Sequence, residues 1–141
     1  MILVPHRETV TGWNEKELDK LIIRQHEILR NKGVVIGAFD QHKLVGVASV
    51  ENEVRGRTAA YFKLDILYLS RGYRGKNIAK NLLLFSKTQA KIFGADKLYL
   101  SATPTQHTVE FYLKNGAGPA REVDPQLLEK EPDDIHLELK V

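Results

Sequence analysis

Apolar and polar residues recur along this chain in two rhythms, and the switches between them mark out its elements. Leu18, Leu21, Ile22, Ile28 and Leu29 return at the spacing of one helix face. Asn14-Glu15-Lys16-Glu17 precedes them with a cap residue and a Glu three positions on, and Gly33 follows where the helix should stop. Val34–Phe39 and Leu44–Val50 are apolar and β-branched, and the polar stretch Asp40-Gln41-His42-Lys43 between them predicts a β-hairpin. A charged, glycine-containing turn from Glu51 to Thr58 leads into a third strand, Ala59–Leu69. A glycine-rich loop, Arg71 to Lys76, then opens a helix from about Asn77 to Phe93, with Ile78, Leu82, Phe85 and Ile92 on its buried face. Lys97–Ala102 reads as a fourth strand, and Thr105–Lys114 as a short helix ended by Asn115-Gly116. In Asp134–Val141 the residues Ile135, Leu137, Leu139 and Val141 alternate with polar ones, the mark of a half-buried strand.

Strands that run antiparallel and then cross over through helices make an α/β fold with a mixed, mostly antiparallel sheet flanked by helices. The segment from Gly118 to Pro132 fits neither rhythm. Its acids (Glu122, Asp124, Glu129 and Glu131, with Asp133 and Asp134 beyond) and its prolines predict a mobile surface loop around at most one further strand. No repeat or linker interrupts the chain, so residues 1–141 are expected to form a single domain.

Composition narrows the classes of function. The chain has 141 residues, 43% of them hydrophobic and 28% charged, enough for one compact core. It has no cysteine, which excludes disulfides, thiolate metal sites and a cysteine nucleophile and fits a reducing compartment. No apolar run approaches the roughly 20 residues of a membrane span, and Met1-Ile2-Leu3-Val4 is too short and lacks the basic lead of a signal peptide. A cytoplasmic protein with no membrane partner is the expectation. His6, His26, His42, His107 and His136 have no mutual spacing of metal ligands, so no metal is expected.

Net charge is +3, yet Ile66 to Ala95 holds six bases (Arg71, Arg74, Lys76, Lys80, Lys87 and Lys91) and no acid. A one-sign cluster on a near-neutral chain points to a local anionic ligand, or to a solvated basic helix face. Exposed aromatics for base stacking are not interleaved with these bases, so nucleic acid is not the expected partner.

The informative stretch is Leu67-Tyr68-Leu69-Ser70-Arg71-Gly72-Tyr73-Arg74-Gly75-Lys76-Asn77-Ile78-Ala79. A strand ends, a loop with two glycines follows, and a helix opens. Glycine lets backbone amides approach a ligand, and the first amides of a helix are unpaired donors at the positive end of its dipole. Such a pocket suits a pyrophosphate. The Gly-Lys-Ser/Thr ending of a Walker loop is absent, and so is the Gly-x-Gly-x-x-Gly dinucleotide fingerprint. The residues alone therefore leave two readings: a phosphate-bearing cofactor held in a less common way, or a glycine-rich turn with surface bases.

Tyr73 to Leu83 resembles the acetyl-CoA loop of the GNAT superfamily of N-acetyltransferases, whose signature Arg/Gln-x-x-Gly-x-Gly/Ala falls on Arg74, Asn77 and Ala79. Phe111-Tyr112-Leu113-Lys114-Asn115-Gly116 is similar to the helix end Phe-Tyr-x-x-x-Gly of the same family. The resemblance covers roughly Val34 to Gly116. It implies the GNAT fold and direct transfer of an acetyl group from acetyl-CoA, as cosubstrate, to a primary amine on a small molecule or protein. It also implies that the strand before the loop splays from its neighbour, so that backbone groups of Leu67 and Leu69 meet the pantetheine arm. Amides from Arg74 through Gly75, Lys76, Asn77 and Ile78 to Ala79 would hold the pyrophosphate, and Tyr112 would be the acid that protonates the departing thiolate. A phenol with an ordinary pKa of about 10 nearly balances a thiol in that transfer. Phe111 reads as packing.

Three positions depart from the family pattern. Asn77 replaces a glycine; asparagine tolerates left-handed backbone, and a backbone already helical there would make its side chain harmless. Thr105 stands where many relatives carry a cofactor-contacting Asn, and serves as a cofactor contact or as a helix cap. Lys63 occupies the position of a common Glu general base, and Asp65 projects to the same face, either to activate a water or to pair with Lys63. A non-catalytic acyl-CoA sensor on the same fold is the alternative function. One helix before the hairpin, where relatives usually have two, predicts an open acceptor cleft. Glu51, Glu53 and the Glu122–Asp134 acids are candidate attractors for a cationic amine, and a homodimer, common among relatives, stays open.

Overall fold

The computed structural model describes residues 15–141. The expected cap at Asn14, the Met1–Val4 segment and His6 lie outside them. Helix α1, Glu15–Arg30, buries Leu18, Leu21, Gln25 and Ile28 as one stripe, with Glu15 and Glu17 in its first turn and Arg30 in its last. It ends through Lys32, at φ 69°. Gly33 is required by space: a Cβ there would lie 2.5 Å from the Ile28 side chain and 2.7 Å from the Val50 carbonyl.

Strands β1 (Val34–Asp40) and β2 (Lys43–Val50) form the expected hairpin, closed by Gln41 and His42. Strand β3, Tyr61–Leu69, pairs antiparallel with β2 on one side and parallel with β4, Lys97–Ala102, on the other. Strand β6, Ile135–Lys140, runs antiparallel to β4, and the two-residue β5, Gly118–Pro119, closes the edge. The sheet order is β1-β2-β3-β4-β6-β5, one mixed sheet with a single parallel pair.

One face of this sheet carries α2, Ile78–Phe93, and α3, Gln106–Lys114. Leu82, Leu83 and Ala90 of α2 pack there on Val50, Leu64, Leu98 and Leu139. The other face carries α1, whose Leu18 and Leu21 meet Val35, Val47 and Ile66. It also carries the short α4, Pro125–Lys130, whose Leu127 covers Tyr61 and Tyr99. Among the described residues no helix is long and apolar enough to cross a membrane.

Two expectations are corrected. The buried face of α2 is Leu82, Leu83, Ser86 and Ala90, while Phe85 and Ile92 are 61% and 70% exposed. Small residues mark this contact because they let the helix axis approach the sheet, and the Ser86 hydroxyl is satisfied by donating to Leu82 O at 2.8 Å. The segment expected as a mobile loop is instead tied down by its own acids. Glu122 accepts from the amides of Arg57 and Thr58 and from the Thr58 hydroxyl, at 2.6, 2.8 and 2.6 Å. Asp124 caps α4 through the amides of Gln126 and Leu127, and Pro125 fits the first turn, where no amide is needed.

Candidate active site

The site begins with one extra residue in β3. Val50 faces Leu64 across the ladder but Ser49 faces Ile66, so Asp65 is a bulge. A bulge bends its strand and sharpens the twist. The parallel pairing of β3 with β4 stops at that point, its last partners being Leu64 and Leu100. Beyond it the two strands diverge and leave a wedge through the sheet. Ser70 still donates its amide to Val45 O at 2.8 Å. By the alternation of an antiparallel ladder, Leu67 and Leu69 therefore turn their backbone groups away from β2 and into the wedge. Both residues line a cleft of about 940 Å³ that runs along it.

A single 3-10 turn, Arg71–Tyr73, carries the chain from β3 to the glycine loop. Gly75 sits at φ 83° and Asn77 at φ 63°, two left-handed residues that reverse the chain into α2. The signature's glycine position thus demands positive φ, and Asn77 meets that demand as a residue with a short polar side chain can. The backbone there is not already helical. Asn77 makes no side-chain cap. The first helical bond runs from the Asn81 amide to Asn77 O, so the amides ahead of it are open donors at the positive end of a 16-residue helix. Arg74, Asn77, Ile78, Ala79 and Lys80 all border the cleft. Lys76 does not; its ammonium lies 5.5 Å from the centre of the Tyr73 ring. The Tyr73 hydroxyl donates to Asp40 at 2.7 Å and so fastens the loop to the hairpin.

Helix α3 supplies the opposite wall. Thr105 is its cap: the hydroxyl oxygen accepts from the Thr108 amide at 3.3 Å and is 2.9 Å from the Thr108 hydroxyl. Thr105 itself stays off the cleft, whereas His107, Phe111 and Tyr112 border it. Tyr112 is 8% exposed and meets Phe111 edge to face at 5.4 Å. Burial pushes its phenol far above the usual value. That tilts the expected near-balance with a thiol toward a phenol that keeps its proton and donates a hydrogen bond.

Asp65 borders the cleft from the face that carries α1. Its side chain is fully covered and takes three partners: Arg24 Nε at 2.7 Å, Gln25 Nε2 at 2.9 Å and Lys63 Nζ at 3.0 Å. Burial raises this carboxyl, but Lys63, Arg24 and the hydrogen bonds outweigh it and hold the pKa below the ordinary carboxylate range. The sequence offered Lys63 as a partner and gave no sign of Arg24. One signal was available: Gln25 is a polar residue on the apolar stripe of α1, and such a residue needs a buried partner.

Of the acids expected to attract an amine, Glu131 and Asp134 border the cleft. Glu51 and Glu53 instead hold Arg55, at 3.1 and 3.5 Å. Asp134 accepts from the Ser101 hydroxyl at 2.9 Å, Ser101 being the first β4 residue beyond the pairing with β3. On that face the described residues of α1 that border the cleft are Glu17, Lys20, Leu21 and Arg24, and α4 contributes only its end, at Glu131.

Comparison with known proteins agrees with this geometry. No curated protein sequence matches the chain. Among similar solved structures is a PaiA N-acetyltransferase from Thermoplasma acidophilum in complex with coenzyme A, at 23% identity and TM-score 0.64, covering 92% of this chain and 81% of that one. An acetyltransferase of the GNAT family from Staphylococcus aureus Mu50 aligns at 21% identity and TM-score 0.69, over 92% and 80% of the two chains. An aminoglycoside 6'-N-acetyltransferase complexed with coenzyme A aligns at 17% identity and TM-score 0.66, over 91% and 81%. At these identities the likeness is one of fold, whereas the sequence profile of the Acetyltransferase (GNAT) family matches residues 4–117. A bulge-opened sheet, a left-handed glycine loop before a long helix and a profile match over most of the chain lead to one conclusion: this protein belongs to the GNAT acetyltransferase family.

Proposed function

We propose that this protein transfers an acetyl group from acetyl-CoA directly to a primary amine. The observation that carries the reading is the wedge itself. It joins the open amides at the start of α2 to the backbone edge of Leu67 and Leu69 and ends beside Tyr112. In this reading the diphosphate lies on the amides from Gly75 to Ala79 with Arg74 beside it, and the pantetheine arm adds a short strand to β3. Two coenzyme A-bound enzymes share the fold.

Attack of a neutral amine on the thioester carbonyl forms the C–N bond, and collapse of the tetrahedral adduct breaks the C–S bond. Tyr112 donates a hydrogen bond from its hydroxyl to the departing sulfur, which leaves as the coenzyme A thiolate and takes up a proton from solvent, while the amine's surplus proton passes to solvent. Its buried phenol stays protonated at physiological pH, the form this role requires. Asp65 is assigned to position α1 and the bulge. Its engaged, low-pKa carboxylate is a poor proton acceptor.

Thermal unfolding with acetyl-CoA, with NAD and ATP as controls, tests the cofactor. A ligand at about 100 times its dissociation constant adds roughly 2.7 kcal/mol of stability, a midpoint shift of several degrees in a domain of this size. A rise with acetyl-CoA alone supports the reading; no rise at millimolar ligand removes it. Tyr112→Phe separates enzyme from sensor. Turnover should fall about a hundredfold with little change in the acetyl-CoA midpoint shift. Binding without thiol release by any amine, in the unaltered protein, would leave the non-catalytic sensor standing.

A further inference from the structure

The wedge opens on both faces of the sheet, and the face that carries α1 and α4 has two walls of opposite sign. On one wall stand Lys20 and Arg24, one turn apart on α1 and both bordering the cleft. Arg24 is not a loose surface base. Its Nε is bound at 2.7 Å to a carboxylate with no exposed surface, which holds the guanidinium in place. Its terminal nitrogens make no hydrogen bond among the described residues, and neither does Lys20. With Lys63, the Arg24–Asp65 group keeps a net charge of +1. Glu17 borders the same wall and is engaged in an interaction of its own.

On the other wall Glu131 ends α4 and Asp134 precedes β6. Asp134 is half-buried, and Ser101 Oγ holds one of its oxygens at 2.9 Å. No described residue holds the other. Leu98, Leu100 and Ala102 of β4 point to the face with α2 and α3, so Ser101, between them, points to the face with α1 and α4. That places Asp134 at the mouth of the wedge, across from the cationic wall.

Resting on the acetyl-transfer reading, we infer that the acceptor is a zwitterion, an amino acid or a short peptide with a free amino terminus. Its amine hydrogen-bonds to Asp134 and its carboxylate meets Arg24 and Lys20. A pinned guanidinium suits a carboxylate because its fork of donors matches two oxygens, and because its rotamer entropy is already lost before the ligand arrives. The half-engaged Asp134 suits an amine for the converse reason: it presents a fixed acceptor that aims the nitrogen at the wedge.

The test is thiol release from acetyl-CoA by the intact protein. The panel is the L-amino acids and their dipeptides, each beside its carboxamide and its decarboxylated amine. The best acceptor should bear a carboxylate and exceed both counterparts at least tenfold in kcat/KM. Lys20→Glu, an exposed change that leaves the Asp65 group intact, should raise KM for that acceptor about tenfold and remove its advantage over the carboxamide. Asp134→Asn should lower kcat/KM for acceptor and carboxamide alike. An equal or faster reaction of the carboxylate-free amines overturns the inference, as does failure of every carboxylate-bearing amine to react. In both cases a midpoint shift with acetyl-CoA, together with thiol release by some carboxylate-free amine, leaves the acetyl-transfer reading in place. Loss of that shift overturns both.

Discussion

The two halves of β3 belong to one continuous strand and have opposite duties. From Tyr61 to Leu64 the strand is hydrogen-bonded on both sides, Phe62 and Leu64 enter the core against α2, and Tyr61 supports α4. From Asp65 to Leu69 it keeps only β2, and its other edge faces the cleft. The first half stabilises the sheet. The second leaves backbone donors and acceptors unpaired, which weakens the fold locally and makes room for a ligand to complete the sheet.

Substitutions along β3 should separate these duties. The largest loss is expected in the paired half: Phe62→Ala removes a ring that stacks on Phe93 at 6.1 Å and should cost about 4 kcal/mol in denaturant unfolding. Asp65→Ala, at the junction, should cost about 3 kcal/mol because it strands Lys63 and Gln25 in a covered site. The pH dependence follows from the same group. Its folded pKa lies below the unfolded value of about 3.9, so the stabilisation is complete above about pH 4 and is lost as the pH falls through the folded value. Asp65→Asn should flatten that acid limb; an unchanged limb would detach Asp65 from the stability of the junction. The smallest effect belongs beyond the strand. Asn77→Val forces a β-branched residue to φ 63° and should cost about 1–2 kcal/mol and weaken acetyl-CoA binding. Asn77→Gly should be close to neutral in both. Equal behaviour of the two variants would mean that the loop relaxes out of its left-handed turn.

What the sequence made legible follows the same division. Periodicity placed α1, the hairpin, β3, α2, β4 and α3 within a few residues, because each is decided by which side chains leave water. It misjudged the face of α2, since Phe85 and Ile92 outweigh Ser86 and Ala90 in hydrophobicity, whereas close packing selects for small size. It gave no sign that Glu122 and Asp124 are structural caps, because their partners lie at Thr58 or in a helix of only six residues. In the cleft, the loop, Tyr112 and Asp65 could be named from local motifs. Asp134 could be named only as one of a run of acids, and Arg24 and Ser101 not at all, because they are joined only through the tertiary fold, Arg24 meeting a carboxylate 41 residues away.

The mooring of Tyr73 to Asp40 has a kinetic consequence. A loop already fastened to the hairpin, with its turn residues fixed, has little disorder to surrender when the proposed acetyl-CoA arrives. Capture of the cofactor then needs no slow closure, so its association should follow a single exponential whose rate climbs linearly with concentration, with no plateau set by a moving lid.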